Sequence, residues 1–156
     1  MNKIIFILLS VFILSCSKND LLKSHCTDPQ AVNYNVDGTE NDNACQYSIM
    51  GDWTVVKFIY SDGIDVLSQF EYINYTFSHP LNGSYTFERE IGILNSTDYE
   101  TYTGGFSLGG SNNSQLNFTI DGVSTSATIT SITSTTLELN FDVDSSRIAI
   151  LELIRI

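Results

Sequence analysis

The chain has 156 residues, 42% of them hydrophobic and 12% aromatic, which is enough for one packed domain of ordinary size. Its formal net charge is −11, and it contains only seven Lys and Arg residues. Because affinity for phosphate backbones rests on clustered positive charge, we expect no nucleic-acid partner.

The first fifteen residues have the layout of an export signal. Lys3 precedes an almost unbroken apolar stretch from Ile4 to Leu14, which Ser15 and Cys16 follow. This stretch is much shorter than the ~20 residues that a membrane-spanning helix needs. We therefore predict a signal peptide over residues 1–15 rather than a transmembrane anchor.

The segment Ile13 to Cys16 resembles the lipobox of bacterial lipoproteins, in which cleavage occurs before the cysteine and its sulfur carries a diacylglycerol. The resemblance implies lipidation of Cys16, with acyl chains such as palmitate. Because stable anchoring needs at least two chains, a multiply acylated Cys16 would hold the protein at a bilayer. We expect an outer-membrane location, on its periplasmic or cell-surface face, with residues 16–25 forming the lipidated cysteine and a polar tether.

With Cys16 assigned to lipid, Cys26 and Cys45 are the remaining pair. An exported protein meets an oxidising compartment, so we predict that these two cysteines form a disulfide. A bridge of this span would contribute roughly 3 kcal/mol in the chain-entropy model. Residues 26–47 are therefore predicted to fold as a disulfide-closed acidic loop.

This loop resembles a short module of secreted and surface proteins of the Bacteroidota. The pattern of that module runs Cys-Thr-Asp-Pro, an Asn-Tyr pair, then an acidic turn ending in Cys-x-Tyr. The matching parts here are Cys26 to Pro29, Asn33-Tyr34, Asp42 to Cys45 and Tyr47. We expect the loop to space or decorate the following domain rather than to perform chemistry.

The same loop carries candidate calcium ligands, namely Asp28, Asn33, Asn35, Asp37 and Asp42. Their hard oxygen atoms are the ligands that calcium prefers, and their spacing would allow a small cage. Asp and Asn are also standard turn formers that cap their own backbone, which explains them without a metal. Both interpretations stay open from the sequence.

From Ser48 onward, short alternating or aromatic and β-branched runs recur, separated by turn signals. This pattern predicts an all-β domain over residues 48–156. The predicted strands are Asp52 to Tyr60, Phe70 to Ser78, Gly83 to Glu90, Asp98 to Leu108, Ser114 to Asp121, Val123 to Thr133, Thr136 to Val143 and Arg147 to Ile156. Asp121-Gly122 between two such runs predicts a type I′ hairpin, and successive hairpins build an antiparallel meander.

The last predicted strand is apolar on both faces except at Glu152 and Arg155, so we expect either that a neighbour covers it or that it closes the sheet by pairing with the first strand. A barrel of about eight strands is just wide enough to fill with side chains or to hold one small ligand. The large inward candidates are Phe58, Phe70, Tyr72, Tyr75, Phe77, Tyr85, Phe87, Phe118 and Phe141. These side chains favour a filled interior, with a ligand cavity as the alternative.

Gly51-Asp52-Trp53 opens the β region, and Thr136 to Leu139 and the final apolar strand end it. This order resembles the lipocalin-like (calycin-like) domains of Bacteroidota lipoproteins. The resemblance implies a closed barrel in which Trp53 seals one end and Arg155, or alternatively Arg147, lies over its ring as a cation-π pair. It also implies binding of a small apolar ligand.

Catalysis is not indicated by the sequence. The two histidines lie in the tether and in a turn, and no motif for nucleotide, zinc or phosphate is present. Glu88 with Glu90, and Asp98 with Glu100, would permit a carboxylate pair if their strands faced each other. Solvated charges that prevent aggregation explain these residues more readily, so we predict that the protein is not an enzyme.

Two functions remain for this sequence. The first is a non-catalytic, membrane-anchored envelope lipoprotein whose barrel binds a small apolar ligand or a partner. The alternative is a structural or adhesive surface module with a filled core that meets another protein or a glycan. A large apolar pocket would favour the first function, and a solid interior with an exposed apolar patch would favour the second.

Overall fold

The computed structural model describes residues 26–35, 45–79 and 84–156. The predicted signal peptide, the lipidation site Cys16, the tether, Asp37 and Asp42 all lie outside these residues. Within the described ranges, no helix has both the length and the apolar character needed to cross a membrane.

Eight antiparallel strands form one closed barrel in chain order. They are β1 (Gly51–Tyr60), β2 (Phe70–Ser78), β3 (Thr86–Ile93), β4 (Tyr99–Gly109), β5 (Gln115–Ile120), β6 (Val123–Ile132), β7 (Thr136–Asp142) and β8 (Ile148–Arg155). Two short 3-10 turns, Leu67–Gln69 and Ser111–Asn113, lie between strands. The predicted fold class, including the pairing of the last strand with the first, is confirmed.

Most strand boundaries lie within one residue of their predicted positions, but β3 lies three residues later than predicted. Ile91 and Gly92 continue the strand, paired with Ile73 and Tyr72 of β2. A Cβ atom at Gly92 would lie 2.5 Å from the Tyr72 ring, so glycine here permits close packing. In the sequence, the same glycine favours the end of a strand.

The closing pair, β1 with β8, runs from Trp53 opposite Arg155 to Tyr60 opposite Ala149. A bulge between Val55 and Lys57 interrupts the register. With this extra residue, both Val55 and the residues beyond the bulge can present apolar side chains to the interior. Since every strand has two neighbours, the sheet has no unpaired edge for another chain to extend.

The core lies inside the barrel, and its most deeply buried side chains come from alternate positions of the strands. The largest fully buried ones are Trp53, Phe77, Leu116, Leu137, Leu139 and Leu153. Leu137 and Leu139 follow the alternation predicted for β7, with Glu138 exposed between them. In a regular strand such as β7, residue alternation therefore determines which side faces inward.

An aromatic cluster occupies the middle of the barrel around Phe118 of β5. The Phe118 ring centroid lies 4.8 Å from that of Phe87, 5.9 Å from Phe141, 6.2 Å from Phe77 and 6.5 Å from Tyr75. These partners belong to β2, β3 and β7, so rings from across the barrel meet. Side chains thus occupy the interior at this level.

Two aromatic residues predicted inside the barrel lie elsewhere. A register shift between Phe70 and Tyr72 turns Tyr72 to the outer face, where a hydrogen bond to Glu90 raises the pKa of its hydroxyl. Tyr85 precedes β3 and is 40% exposed; its ring centroid lies 4.6 Å from that of His79 and 5.2 Å from that of the buried Phe106. At Tyr72 the bulge shifts the inside-outside pattern by one residue, which simple alternation misses.

The segment before the barrel contains the predicted disulfide, since Cys26 and Cys45 are bonded. Val32 donates a backbone hydrogen bond to the Gln46 carbonyl at 2.8 Å, and the Gln46 amide donates to Asn33 Oδ1 at 2.8 Å. Covalent and hydrogen bonds therefore join the two described parts of this loop.

Candidate functional site

The meander gives the barrel two different ends. The β1–β2, β3–β4, β5–β6 and β7–β8 loops lie at one end, and the other three loops lie at the opposite end with the beginning of β1 and the end of β8. Inward residues near the second end, such as Trp53 and Leu137, are fully buried. Inward residues near the first end, such as Tyr60 and Ile91, keep some exposure. We call the first end the open end and the second end the closed end.

Arg155 seals the closed end. Its Cζ atom lies 4.1 Å from the centre of the Trp53 ring. The guanidinium donates hydrogen bonds from Nε to the Ser134 carbonyl at 2.8 Å, from Nη1 to the Met50 carbonyl at 2.6 Å and from Nη2 to the Ser48 carbonyl at 2.8 Å. Partial burial lowers the pKa of Arg155 from its ordinary value. One side chain therefore ties the β6–β7 loop and the segment before β1 together.

The Gly51-Asp52-Trp53 motif has a steric basis at this seal. Gly51 has φ +119°, and a Cβ atom there would lie 2.6 Å from Arg155 Nη1. Trp53 donates its Nε1 hydrogen to the Ile49 carbonyl at 2.8 Å. The indole N–H and the guanidinium are thus both bonded to backbone carbonyls, and together they hold the closed end in place.

Arg147, the alternative partner for Trp53, lies at the open end. Its Cζ atom is 5.1 Å from the centre of the Tyr60 ring, and its Nε donates to Asp144 Oδ2 at 2.8 Å. The pKa of Asp144 lies well below its ordinary value, because its carboxylate accepts hydrogen bonds from the backbone and hydroxyl of Ser146 and from the side chain of Arg147. This local network shapes the β7–β8 loop beside the open end.

Apolar side chains on the inner wall of the open end form a partly exposed surface, which we call the mouth. Its residues are Phe58, Tyr60, Leu67, Phe70 and Ile91, and all of them pack against the buried core below. The rings of Phe58 and Tyr60 meet edge to face, with centroids 6.0 Å apart. The mouth is thus an apolar surface that solvent reaches and that a small molecule could cover.

A cation lies on the inner wall directly below the mouth. Arg89 pairs with Tyr75 on one side and Tyr102 on the other, between the inward residues Phe87 and Ile91 of β3. Its Cζ atom lies 4.5 Å from the centre of the Tyr102 ring. Burial raises the pKa of the Tyr75 hydroxyl, and both the nearby Arg89 charge and a side-chain hydrogen bond with Arg89 oppose that shift.

The guanidinium of Arg89 is incompletely paired. Its Nε atom is buried, and none of the described residues accepts a hydrogen bond from it. The two ion pairs found among those residues are Lys57 with Glu152 and Arg147 with Asp144, so neither includes Arg89.

The Tyr102 hydroxyl, on the β4 side of Arg89, is hydrogen-bonded to another residue. Tyr102 donates its hydroxyl hydrogen to Glu100 Oε2 at 2.6 Å, and this bond raises the pKa of Tyr102. In the sequence, Arg89 lies between two glutamates and so resembles an ordinary surface charge. The signal was nevertheless present, since Phe87, Arg89 and Ile91 share one face of an alternating strand.

Comparisons with known proteins establish the fold. Neither protein-family models nor curated proteins match the chain. Among solved structures, the major allergen Per a 4 from cockroaches matches with a TM-score of 0.53 and 12% identity, over 67% of this chain and 64% of the allergen. The barrel is lipocalin-like. The chain thus spans less than two thirds of the allergen's length, and at this identity the match shows a shared fold alone.

Two further solved structures give weaker matches to this lipocalin-like barrel. Japanin from Rhipicephalus appendiculatus, solved bound to cholesterol, has a TM-score of 0.48 and 10% identity over 69% of this chain and 75% of Japanin. The siderocalin Ex-FABP, described as having dual ligand specificities, has a TM-score of 0.47 and 7% identity over 68% of this chain and 72% of its own.

The carboxylate pairing considered from the sequence does not form in the lipocalin-like barrel. Glu88 and Glu90 lie on the outer face of β3, where they line a surface groove with Asp52. Glu100 pairs with the inward Ile91 and therefore lies on the inner face of β4. The two sets of carboxylates thus lie on opposite faces of adjacent strands.

The predicted calcium ligands are described only in part. Asp28 Oδ1 accepts a hydrogen bond from the Gln30 backbone amide at 2.9 Å, and Asp28 Oδ2 accepts one from the Tyr47 hydroxyl at 2.8 Å. These bonds lower the pKa of Asp28 and use both carboxylate oxygens to hold the turn.

The remaining candidate ligands leave the calcium prediction untested. Asn33 Oδ1 accepts a hydrogen bond from the Gln46 backbone amide, and the Asn35 backbone amide donates one to the Cys26 carbonyl at 2.9 Å. Among the residues described, no three His, Cys, Asp or Glu side chains converge as metal ligands. Since Asp37 and Asp42 lie outside those residues, calcium binding stays a prediction.

Proposed function

We propose that the protein is a non-catalytic lipoprotein of the outer envelope whose lipocalin-like barrel binds a small apolar ligand at its open end. The supporting observation is the mouth, where apolar side chains from β1, β2, β3 and the Leu67–Gln69 turn remain partly exposed above the core. The aromatic cluster occupies the barrel below, so the ligand is small and enters from the open end.

The apolar-ligand proposal is tested by titrating octan-1-ol into isotopically labelled protein and following NMR shifts. We expect shifts at Phe58, Tyr60 and Ile91, and none around Trp53 at the closed end. Ile91→Ser should weaken binding because it removes apolar surface from the mouth. Ile154→Ser, the same change at an exposed position of β8, should leave binding unchanged. Absence of binding, or shifts confined to the outer wall, would contradict the proposal.

One observation favours the alternative of a partner-binding module. Apolar side chains that are 40% or more exposed occur on or beside all four loops of the open end. They are Ile64, Leu94, Tyr99, Val123, Val143 and Ile148. If octan-1-ol does not bind in the mouth, this rim becomes the surface to test for protein or glycan partners.

Membrane anchoring through Cys16 is a separate part of the proposal, because the site lies outside the described residues. We expect Cys16→Ser to move the protein from the membrane fraction to the soluble fraction, or to block its maturation, since the acyl chains would be lost. The double variant Cys26→Ser, Cys45→Ser applies the same chemical change elsewhere and should remain membrane-bound. Unchanged membrane retention of Cys16→Ser would refute the anchor.

A further inference from the structure

The cation beneath the mouth points to the chemistry of the ligand. We propose that Arg89 makes the mouth selective for an anionic head group, so that the ligand is a small carboxylic acid with an apolar tail. This inference rests on the proposed apolar-ligand function and specifies the substrate class of the same site.

The first argument is the hydrogen-bonding state of Arg89. A buried N–H donor without an acceptor is costly, and guanidinium groups are suited to carboxylates because their donors match both oxygens. Arg89 Nε is such a donor, while the residue as a whole keeps partial exposure. A carboxylate arriving from the open end would supply the acceptor and balance the charge.

The second argument is the layout of the surfaces around Arg89. Below it, Tyr75 and the aromatic cluster occupy the barrel, so a ligand has no route deeper. Above it, Ile91 belongs to the mouth, and the exposed Ile93 and Leu94 continue the apolar surface to the rim. The head group would therefore bind at the bottom, with the tail pointing outward.

Strand geometry sets the length of that tail. Ile93 lies four positions after Arg89 in β3. At about 3.3 Å per residue and a tilt of roughly 40°, this segment spans about 10 Å along the barrel axis. A chain of about eight carbons is of comparable length, and octanoate is therefore the probe for this site.

The charge of the rim opposes this selectivity. Exposed carboxylates lie on all four open-end loops, among them Asp62, Asp98, Asp121 and Asp144. Glu100 adds a carboxylate on the inner face of β4, where it accepts the hydrogen bond of the Tyr102 hydroxyl beside Arg89. The repulsion of the rim carboxylates acts through solvent and is screened over about 8 Å at physiological salt. A contact with Arg89 is made inside the barrel, where the effective dielectric constant is lower and attraction stronger. Selection therefore comes from the direct contact, and long-range attraction does not contribute.

The test compares three eight-carbon probes that differ in the head group, namely octanoate, octan-1-ol and octylammonium. Calorimetric titrations use residues 17–156, which include every residue that the structure describes, made in an oxidising compartment. Wild type should bind octanoate more tightly than octan-1-ol. Arg89→Met should lower octanoate affinity by about tenfold to hundredfold and leave octan-1-ol unchanged. Lys57→Met removes the same charge from the outer wall, where Lys57 pairs with Glu152, and should change neither affinity.

The outcomes separate this inference from the function on which it rests. Equal binding of octanoate and octan-1-ol, unaffected by Arg89→Met, would leave the apolar-ligand function intact and overturn the anionic selectivity. Tightest binding of octylammonium would show that the acidic rim dominates, and would also overturn it. If no probe binds, both the apolar-ligand function and the selectivity fail.

A direct measurement on wild type covers the case in which Arg89→Met does not fold. The Nε–H resonance of Arg89 should shift much further on addition of octanoate than on addition of octan-1-ol, because a charged carboxylate accepts a stronger hydrogen bond from a guanidinium than a neutral hydroxyl does. An unmoved Arg89 resonance at saturating octanoate would overturn the inference without any variant.

Discussion

Arg155→Met is expected to lower the free energy of unfolding by about 4 kcal/mol, because three hydrogen bonds from a charged donor and a cation-π contact are lost together. The carbonyls of Ser48, Met50 and Ser134 would lose their guanidinium donor, and Trp53 would lose its cover. The midpoint of urea unfolding, followed by the fluorescence of Trp53, measures the loss directly. Trp53 is the sole tryptophan of the chain.

Two controls isolate the geometry of the seal from its charge. Arg155→Lys keeps the charge but not the planar fork, and should recover only part of the lost stability. Arg147→Met removes an exposed arginine at the open end, where its ion pair with Asp144 is solvent-screened, and should cost far less. Equal unfolding midpoints for Arg155→Met and Arg147→Met would show that the seal does not stabilise the barrel.

Phe118→Ala is expected to destabilise the barrel by about 3–5 kcal/mol, the usual loss when a buried ring is deleted from a core. Phe118 is 3% exposed and contacts rings from three other strands, so few neighbours can move to fill the space. Unfolding by urea measures the change. Phe70→Ala serves as the matched control at the mouth and should cost only about 1–2 kcal/mol, because Phe70 is already partly exposed.

The same substitution has a second readout. Removing the Phe118 ring opens space below the mouth, and a longer probe such as dodecan-1-ol should then bind more tightly than to wild type. If Phe118→Ala costs no more than Phe70→Ala and leaves dodecan-1-ol affinity unchanged, the aromatic cluster is not the floor of the site.

The strands were predictable because local signals and burial agree. Leu137 and Leu139 alternate with exposed neighbours, and both are fully buried on the inner face. Asp121 and Gly122 have positive φ angles of 50° and 79°, as the predicted type I′ hairpin requires. Where the period is regular and the turn chemistry is strong, the sequence determines both the strand and its inward face.

Bulges and backbone partners could not be predicted in the same way. The irregularity between Phe70 and Tyr72 depends on pairing with β3, and it reverses the side on which Tyr72 lies. Arg155 was predicted over Trp53 from a family resemblance, but its hydrogen-bond acceptors are backbone carbonyls, whose positions are set by folding. Alternation places Arg89 on one strand face with Phe87 and Ile91, but its position between Tyr75 and Tyr102 depends on strand pairing, which the barrel determines.

The pairing of β1 with β8 also has a consequence for the timing of folding. Trp53 and Arg155 lie about 100 residues apart in the chain, so the contact that completes the barrel has a very high sequence separation. Such contacts form late and slowly, because the loop entropy must be lost before they contribute. A nascent chain that lacks its eighth strand would expose two sheet edges and could not finish the barrel. Completion of the native state is thereby delayed until β8 has been synthesised.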